Sequence, residues 1–457
     1  MLPPFVEELV VTVVSPPLDA VVSEAFERRV APVLGLAADA SALAEACRDM
    51  AGRFLRGGRL LVFGNGSGAT DAQHVSVEFV HPVVVGKRAL PALSLVSDAA
   101  TVLGVASRRG LENVYAHQVE VLGRPDDIAL GISADGACPN VRAGLRAARE
   151  AGLLTLALLG GDGGDILGGA EADHCLVVRS GDPHVVKEGH VTAYHLLWEL
   201  VHVFFDSPAA IPAAAGDGRA AGGVEQLYPF LYGGGSDERS VLDAAAESAR
   251  QKVAEIVDLR RRVGADQAAA IAACAAQLAE AFAAGATLLA FGNGGSSTDA
   301  QDVVHTFLNP ASPADALPAL GLTSDVAVLT ALSNDVGFDV VFARQVRAFG
   351  RRGDIAVGLS TSGGSANVLA AIEEADRAGM VTVGLAGYGG GRMGELAALH
   401  HLFAVPSSSV HRVQEVQTTT YHVLWEATRA ALAARSWASS QGRRAGHLED
   451  LGAPGGR

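Results

Sequence analysis

The chain has 457 residues, of which 49% are hydrophobic and 19% charged, which excludes a disordered protein and predicts two or more packed domains. The formal net charge of -15 excludes general binding to nucleic acid or to anionic membranes, and no run of Lys and Arg offers an exception. The four cysteines lack CxxC spacing and the amino-terminal stretch lacks the features of a secretory signal. We therefore expect a cytoplasmic protein with reduced thiols and without contacts to membranes.

The first half of the chain alternates between helical and strand patterns. An Ala-rich amphipathic helix is predicted over residues 37–54, and it precedes a short apolar strand, RLLVF, and a Gly-rich loop that opens a helix. Further apolar runs, PALSLV, IALGI, LLTLALL and HCLVV, are separated by helical stretches, and a long helix over about 184–204 follows the last run. Five apolar runs that alternate with helices predict an α/β fold with a parallel sheet between helices.

The second half repeats the first. FGNGSGATDAQHVSVEF starts at Phe63, and FGNGGSSTDAQDVVHTF starts at Phe291, 228 residues later. DIALGIS recurs as DIAVGLS, and YHLLWE recurs as YHVLWE, in both cases 227 residues later. A repeat of this length indicates a duplicated domain, because solenoid units are only about 20–50 residues long.

The duplication gives a predicted domain organisation. The second copy should begin with an Ala-rich helix over 265–283 and end with a helix over about 411–433. Whether the stretch VEQLYPFLYGGG between the copies packs on one domain or covers a pocket is left open. The predicted units are a first domain over 1–206, a linker over 207–240, a second domain over 241–436 and a disordered tail over 437–457.

Two loops of each copy should bind ligands, because ligands of parallel α/β sheets lie at the carboxyl ends of the strands. The Gly loop lets backbone N–H groups at a helix N-terminus approach a phosphate. In LSTSGGSANV of the second copy, four hydroxyl residues occur within six positions, and one serine would be enough to cap the helix. This loop therefore indicates a phosphate monoester site. Neither copy contains GxGxxG after its first strand or a P-loop, so we expect no nucleotide cofactor.

Three stretches of the second copy, FGNGGSSTDAQ, GLSTSGGSANVLAAIEEADRAGMVTVGLAG and SNDVGFDVVFARQV, resemble the sugar isomerase (SIS) domain of phosphoheptose isomerases. The resemblance covers residues 20–206 and 245–436. It implies two flavodoxin-like domains with five-stranded sheets, interconversion of sedoheptulose 7-phosphate and a heptose 7-phosphate, and a four-domain assembly, here a homodimer. It also implies that the Ser/Thr loop and the Gly loop hold the phosphate, while a His, a Glu, a Gln and a second His bind zinc and transfer protons.

In the first copy, the resemblance assigns proton transfer and a possible zinc site to His74, Glu78 and His195. The Gln position is occupied by Lys187, and we hypothesise that its ammonium group lies near Glu78 and His195 and replaces the metal. The Ser/Thr loop reads ISADGACPNV, and Asp135 stands among its hydroxyl positions. A carboxylate about 4 Å from a phosphate charge costs roughly 4 kcal/mol at an effective dielectric of about 20, or about a thousandfold in affinity.

The second copy shows the opposite pattern. Its phosphate loop is complete, but Asp302 and Thr306 replace the His and the Glu, and a Thr hydroxyl is a poor base at neutral pH. The predicted substrate-binding residues of this copy are Ser360, Thr361, Ser362, Ser365, Asn293, Gly294, Gly295, Ser296, Ser324, Asp325, Gln414 and His422. Those of the first copy are Asn65, Gly66, Ser97, Asp98 and Lys187.

The sequence thus predicts a sugar-phosphate isomerase whose tasks are divided between the copies. Glu78 is the expected base and His195 its partner, while His74 positions one of them or joins a metal. Whether Glu78 and Ser362 line one pocket is left open. The alternative is a sugar-phosphate sensor or a scaffold protein without turnover, since the fold alone does not ensure activity.

Overall fold

The computed structural model describes residues 16–84, 86–207, 238–310, 312 and 315–450, with side chains as far as residue 436. The segment VEQLYPFLYGGG and most of the predicted linker lie outside these residues. The side chains of the predicted tail also lie outside them. The predictions for these segments therefore stay predictions.

Five parallel strands form the sheet of the first domain: β1 (Leu60–Gly64), β2 (Ala92–Ser94), β3 (Ile128–Ser133), β4 (Leu154–Gly160) and β5 (His174–Val178). Their order across the sheet is β2–β1–β3–β4–β5. The helices are α1 (Leu18–Glu27), α2 (Val30–Ala38), α3 (Ala40–Leu55), α4 (Ser67–Val80), α5 (Ala99–Arg109), α6 (Val114–Leu122), α7 (Pro139–Glu150), α8 (Gly164–Gly168) and α9 (Pro183–Asp206). Strands β1, β3 and β4 are buried along their whole length, which explains why they are continuous apolar runs.

The second domain has the same architecture, with β6 (Leu288–Gly292), β7 (Ala319–Gly321), β8 (Ile355–Ser360), β9 (Val381–Ala386) and β10 (His401–Ala404) in the order β10–β9–β8–β6–β7. Its helices are α10 (Glu238–Ala283), α11 (Gly295–Leu308), α12 (Val326–Asp335), α13 (Val341–Phe349), α14 (Ala366–Arg377) and α15 (Val410–Asp450). All pairings in both sheets are parallel. The predicted fold is confirmed.

The two domains pack against each other through equivalent helices. Helix α4 contacts its counterpart α11, and α9 contacts its counterpart α15, as expected for two copies related by an approximate two-fold axis. One hydrophobic cluster contains Leu60 and Ile128 of the first sheet together with Leu288 and Ile355 of the second. The inner faces of both sheets therefore belong to a shared core, and the Gly loops open towards the domain interface.

Two predicted helices differ from the structure. The helix predicted over 265–283 begins at Glu238, because Val241, Val253 and Ile256 bury an apolar face that extends it towards the amino terminus. The helix predicted over 37–54 corresponds to α3, which begins at Ala40 because residues 37 and 38 belong to the end of α2. Among the described helices, no single one is long and apolar enough to cross a membrane. The bent pair Leu18–Ala38 and Ala40–Leu55 meets that requirement, judged by length and composition only.

Candidate active site at the domain interface

The Gly loop after β1 positions His74 and Glu78, which lie one turn apart on α4. Gly66 precedes the helix with φ of 56°, and Gly294 has φ of 54° at the same point of the second copy. This left-handed conformation is accessible to glycine and rare for other residues, so the sharp turn from strand to helix depends on these two glycines. The turn places the start of each helix at the carboxyl edge of its sheet.

His74, Glu78 and His195 come together as the sequence predicts. Their potential ligand atoms all lie within 4.8 Å of one another. His74 Nε2 is 3.6 Å from Glu78 Oε1, and all three residues are buried. His195 comes from α9, so the last helix of the first domain brings it onto the same cluster as the α4 pair.

The second domain completes this cluster. Gln414 Nε2, on α15, lies 3.3 Å from His74 Nε2. A Cβ atom built on Gly295 would lie 2.1 Å from Gln414 Nε2 and 2.7 Å from His74 Nε2, so only glycine allows this close approach. The predicted Gln of the second copy therefore lies beside the predicted His–Glu pair of the first copy.

The complete Ser/Thr loop adjoins the same Gly loop. Asn293 and Asn367 exchange two side-chain hydrogen bonds of 2.8 and 2.9 Å, which tie the Gly loop to the first turn of α14. Ser360 Oγ and Ser365 Oγ are 2.9 Å apart, and Ser362 is exposed. The hydroxyl loop of the second domain and the acid–base cluster of the first thus both adjoin one Gly loop.

Glu78 is held ionised by two imidazoles. His411 Nε2 lies 3.3 Å from Glu78 Oε2, and His411 Nδ1 lies 2.8 Å from Glu199 Oε1. Burial by itself would raise the pKa of Glu78, but the hydrogen bonds from His411 and His74 outweigh burial and hold that pKa well below its ordinary value. Burial also opposes the charge on His411, yet its two carboxylate partners raise the pKa of His411 to about 9.

His195 and Gln414 each direct an unpartnered polar atom into the buried cluster. His195 Nδ1 lies 2.9 Å from Glu415 Oε1, whereas His195 Nε2 has no hydrogen-bond partner among the described residues. Gln414 Oε1 is likewise buried without a partner in the described part of the chain. Burial lowers the pKa of His195, so the imidazole is neutral at physiological pH and can accept a proton at Nε2.

The hypothesis that Lys187 lies near Glu78 and replaces a metal there is wrong. Lys187 Nζ donates hydrogen bonds to Asp71 Oδ1 at 2.5 Å and to Thr70 Oγ1 at 3.1 Å, and the negative charge of Asp302 also stabilises the ammonium group. Lys187 thus lies beside the Asp302 cluster, with both of its hydrogen-bond partners on α4 of its own domain, whereas Gln414 lies against His74 of the other domain.

The counterpart cluster therefore collects the substituted residues. His422 Nδ1 lies 2.9 Å from Glu188 Oε1, and His422 Nε2 lies 3.3 Å from Asp302 Oδ2, so both ring nitrogens are paired. Tyr421 donates a hydrogen bond of 2.7 Å to Asp302, and Thr306 is buried. His422 thus does not lie in the same cluster as Gln414, contrary to the grouping that the sequence predicts.

The first-copy loops beside the counterpart cluster also differ from a phosphate site. Asp135 stands at the position that Ser362 occupies in the second copy, and it accepts a hydrogen bond of 2.9 Å from the backbone N–H of Ala137. A Cβ atom built on Gly66 would lie 3.1 Å from His305 Nε2, so an imidazole lies against this Gly loop. The first copy therefore has a carboxylate where the second copy has a hydroxyl, and both accept from the equivalent backbone N–H.

The turns after β2 and β7 carry further predicted substrate residues. Asp98 and Asp325 accept hydrogen bonds from backbone N–H groups of α5 and α12, so their carboxylates cap these helices. Asn65 pairs with Asn140 as Asn293 pairs with Asn367. Direct contact of these turns with substrate stays a prediction. The exposed residues in them are Ser97, Asp98, Ser324 and Asp325.

Sequence reasoning missed three residues around the cluster, the buried His411 and Glu415 and the partly buried Glu199. A signal was available for all three, because each has an identical residue 227 positions away in the other copy, at His184, Glu188 and Glu426. Side chains repeated at helix positions of both copies are candidates for equivalent roles. Their assignment to one cluster or the other required the tertiary structure.

A cavity of about 860 Å³ opens beside the cluster. It reaches the cluster through His411 and Glu199, while the serines of the phosphate loop do not line it. Trp198, Tyr388 and Arg412 contribute to its wall. The phosphate position at the Ser/Thr loop therefore stays a prediction.

Comparisons with known proteins agree with the duplication. The SIS domain model matches residues 27–160 and 253–387, more than half of the chain. The chain is 47% identical over 171 residues to the phosphoheptose isomerase of Desulfovibrio desulfuricans, and 45% identical over 171 residues to that of Roseiflexus sp.. These matches cover 37% of this chain and 80% and 86% of the relatives.

A solved structure shares the two-domain fold. The tagatose-6-phosphate ketose/aldose isomerase of Escherichia coli is 11% identical, with a TM-score of 0.53, and the alignment covers 91% of this chain and 93% of that chain. Identity this low supports the fold alone. Together with the family match over both copies, these findings show that the chain belongs to the SIS domain family, as a tandem two-domain relative of phosphoheptose isomerases.

Proposed function

We propose that the protein is an aldose–ketose isomerase of a phosphorylated sugar and that its substrate is sedoheptulose 7-phosphate. The observation that carries the proposal is the joining of His74, Glu78 and His195 with Gln414 and Gly295 of the other domain. The names of the relatives support the same class of reaction.

The buried cluster provides two separate proton shuttles. Glu78, as a carboxylate, takes a proton from C1 of the ketose, and the freed electron pair forms the C1–C2 double bond of the enediolate while charge moves to O2. His195 accepts the O1 proton at its free Nε2 and delivers it to O2. Return of the first proton from Glu78 to C2, as the C1 carbonyl forms, gives the aldose. Both shuttles act in a site that excludes water, which strengthens their interactions with the developing charge.

The same residues fit a zinc ion. Two imidazoles and a carboxylate are suitable ligands, and the unpartnered atoms His195 Nε2 and Gln414 Oε1 are what a metal would satisfy. We propose His74, Glu78, His195 and Gln414 as its ligands; His195 Nε2 would then hold the metal instead of taking up the O1 proton. A bound zinc ion would polarise the oxygens at C1 and C2 of the sugar.

The phosphate is assigned to the Ser/Thr loop of the second domain. Ser360, Thr361, Ser362 and Ser365 surround the N-terminus of α14, and Asn293 and Ser296 lie at the adjoining Gly loop. The helix N-terminus and the hydroxyl donors favour a phosphate anion. Asp325 is proposed to bind sugar hydroxyls from the turn beside this loop.

Exchanging the equivalent loop residues tests this assignment. Ser362→Asp is expected to weaken the binding of sedoheptulose 7-phosphate by about a thousandfold, because a carboxylate close to the phosphate costs about 4 kcal/mol. Asp135→Ser, at the same position of the first domain, should leave affinity within a few-fold of the wild type. Isothermal titration would also give the stoichiometry, for which we expect one substrate per chain. Two equivalent sites per chain, or equal effects of both variants, would contradict the assignment.

We further propose a homodimer with four SIS domains. Helices α5 and α12 contain no buried residue within the described part of the chain, although they carry apolar side chains. Leu103 is 68% exposed and Val326 is 71% exposed, at corresponding faces of the two domains. Light scattering should give twice the chain mass of 46.7 kDa, and Val326→Glu should shift it towards one chain. A wild-type protein of single-chain mass at micromolar concentration would refute the dimer.

A further inference from the structure

The imidazole of His195 is oriented by a carboxylate from the other domain. His195 Nδ1 lies 2.9 Å from Glu415 Oε1, and both side chains are completely buried. Glu415 directly follows Gln414 on α15, so one turn of the second domain supplies both a side chain beside His74 and a partner for His195. The remaining nitrogen of His195, Nε2, has no partner in the described residues.

Glu415 is itself fixed on its second oxygen. Arg412 Nη1 donates to Glu415 Oε2 at 3.0 Å, and Thr192 Oγ1 donates to the same atom at 3.2 Å. With two donors on Oε2, Oε1 is left to accept a hydrogen bond from His195. Because Glu415 Oε1 is an acceptor, the neutral imidazole must carry its proton on Nδ1. The other nitrogen, Nε2, then has a lone pair.

The repeat contains the same arrangement without a free nitrogen. Glu188 Oε1 lies 2.9 Å from His422 Nδ1, and Thr419 donates to Glu188 Oε2 at 2.6 Å. At this counterpart, however, His422 Nε2 is paired with Asp302. A purely architectural role of the Glu–His pair would be common to both clusters, whereas a role in proton transfer can exist only where Nε2 is free.

We propose that Glu415 is a positioning residue that fixes the Nδ1-protonated form and the ring orientation of His195, so that Nε2 is available to the reacting sugar. This inference rests on the proposed isomerase function for its kinetic consequence. The proton-transfer apparatus of the first domain then depends on a carboxylate of the second. Separated domains would each lack part of it.

Glu415→Gln gives a specific expectation. The donors Arg412 and Thr192 hold the amide oxygen, so the amide NH₂ group faces His195 Nδ1 and moves the imidazole proton to Nε2. We expect kcat to fall by at least tenfold, on the order of 10- to 100-fold, with KM within about threefold of the wild type. Glu188→Gln makes the same change at the counterpart and should leave kcat within about threefold.

The protonated nitrogen can be observed directly by ¹⁵N NMR of the full-length chain with EDTA present, with the His195 signals identified by their loss in His195→Gln. We expect the proton on Nδ1 in the wild type and on Nε2 in Glu415→Gln. A wild-type proton on Nε2, an unchanged protonation pattern in Glu415→Gln, or equal kcat losses in both Glu variants would overturn the proposal. The wild-type spectrum decides even if Glu415→Gln does not fold. Absence of isomerase activity with the expected spectra would refute the proposed function and leave the orientation of His195 established.

Discussion

Replacing Glu78 with Gln is expected to lower the turnover of sedoheptulose 7-phosphate by about 10²- to 10⁴-fold, because a positioned general base contributes that much to proton transfer. Glutamine keeps the shape of the side chain but cannot take the C1 proton. The KM should change little, since the phosphate loop lies in the other domain and is untouched. Coupled detection of the heptose 7-phosphate product would measure the loss.

Thr306→Ala is the matched control for Glu78→Gln. Thr306 occupies the equivalent position of the repeat and is buried in the counterpart cluster. We expect its turnover to stay within about threefold of the wild type. If Glu78→Gln retained turnover to the same degree, the assignment of the base would be wrong. A wild-type protein that binds the sugar phosphate without converting it would instead support the sensor alternative.

Replacing Lys187 with Met is expected to lower the free energy of unfolding at neutral pH by about 3–5 kcal/mol, the usual cost of removing one partner of a buried ion pair. Lys187 is buried beside Asp71, and Asp302 lies close enough to stabilise its charge. Burial raises the pKa of Asp71 even with Lys187 present. The loss should therefore become smaller as the pH falls and Asp71 takes up a proton, because that buried carboxyl group then no longer needs a cation.

Urea denaturation of Arg262→Met provides the surface control for Lys187→Met. Arg262 Nε lies 3.1 Å from Asp258 Oδ2, and both side chains are more than half exposed, so the expected loss is below about 1 kcal/mol. A loss of this small size for Lys187→Met would show that the buried acids do not need the ammonium group. Adding Asp71→Asn to Lys187→Met should recover part of the stability.

The distribution of residues between the two clusters explains how a duplicated chain can retain one site. The cluster at His74 has the acid–base residues and the Gln, and the Gly loop that contacts it adjoins the complete Ser/Thr loop. The cluster at Asp302 has a lysine at the Gln position and Asp135 in the adjoining Ser/Thr loop. Once each cluster draws on both domains, changes in one cluster leave the other cluster complete.

The local patterns of the sequence were sufficient for much of the fold. Apolar runs buried on both faces specify parallel strands, and a Gly at left-handed φ between strand and helix specifies the turn, because both depend on neighbours in the chain. The duplication and the identity of His74, Glu78, His195 and the Ser/Thr loop were also readable, since each occupies a recognisable motif position.

Only the tertiary structure decided which residues share a cluster. Lys187 was expected beside Glu78, yet it lies with Asp71, while Gln414 of the other copy lies with His74. The order of the motifs along the chain cannot show which residues become neighbours, because that depends on how α9 and α15 pack at the domain interface. Glu415 remained hidden for the same reason, since its partner His195 is 220 residues away in the sequence.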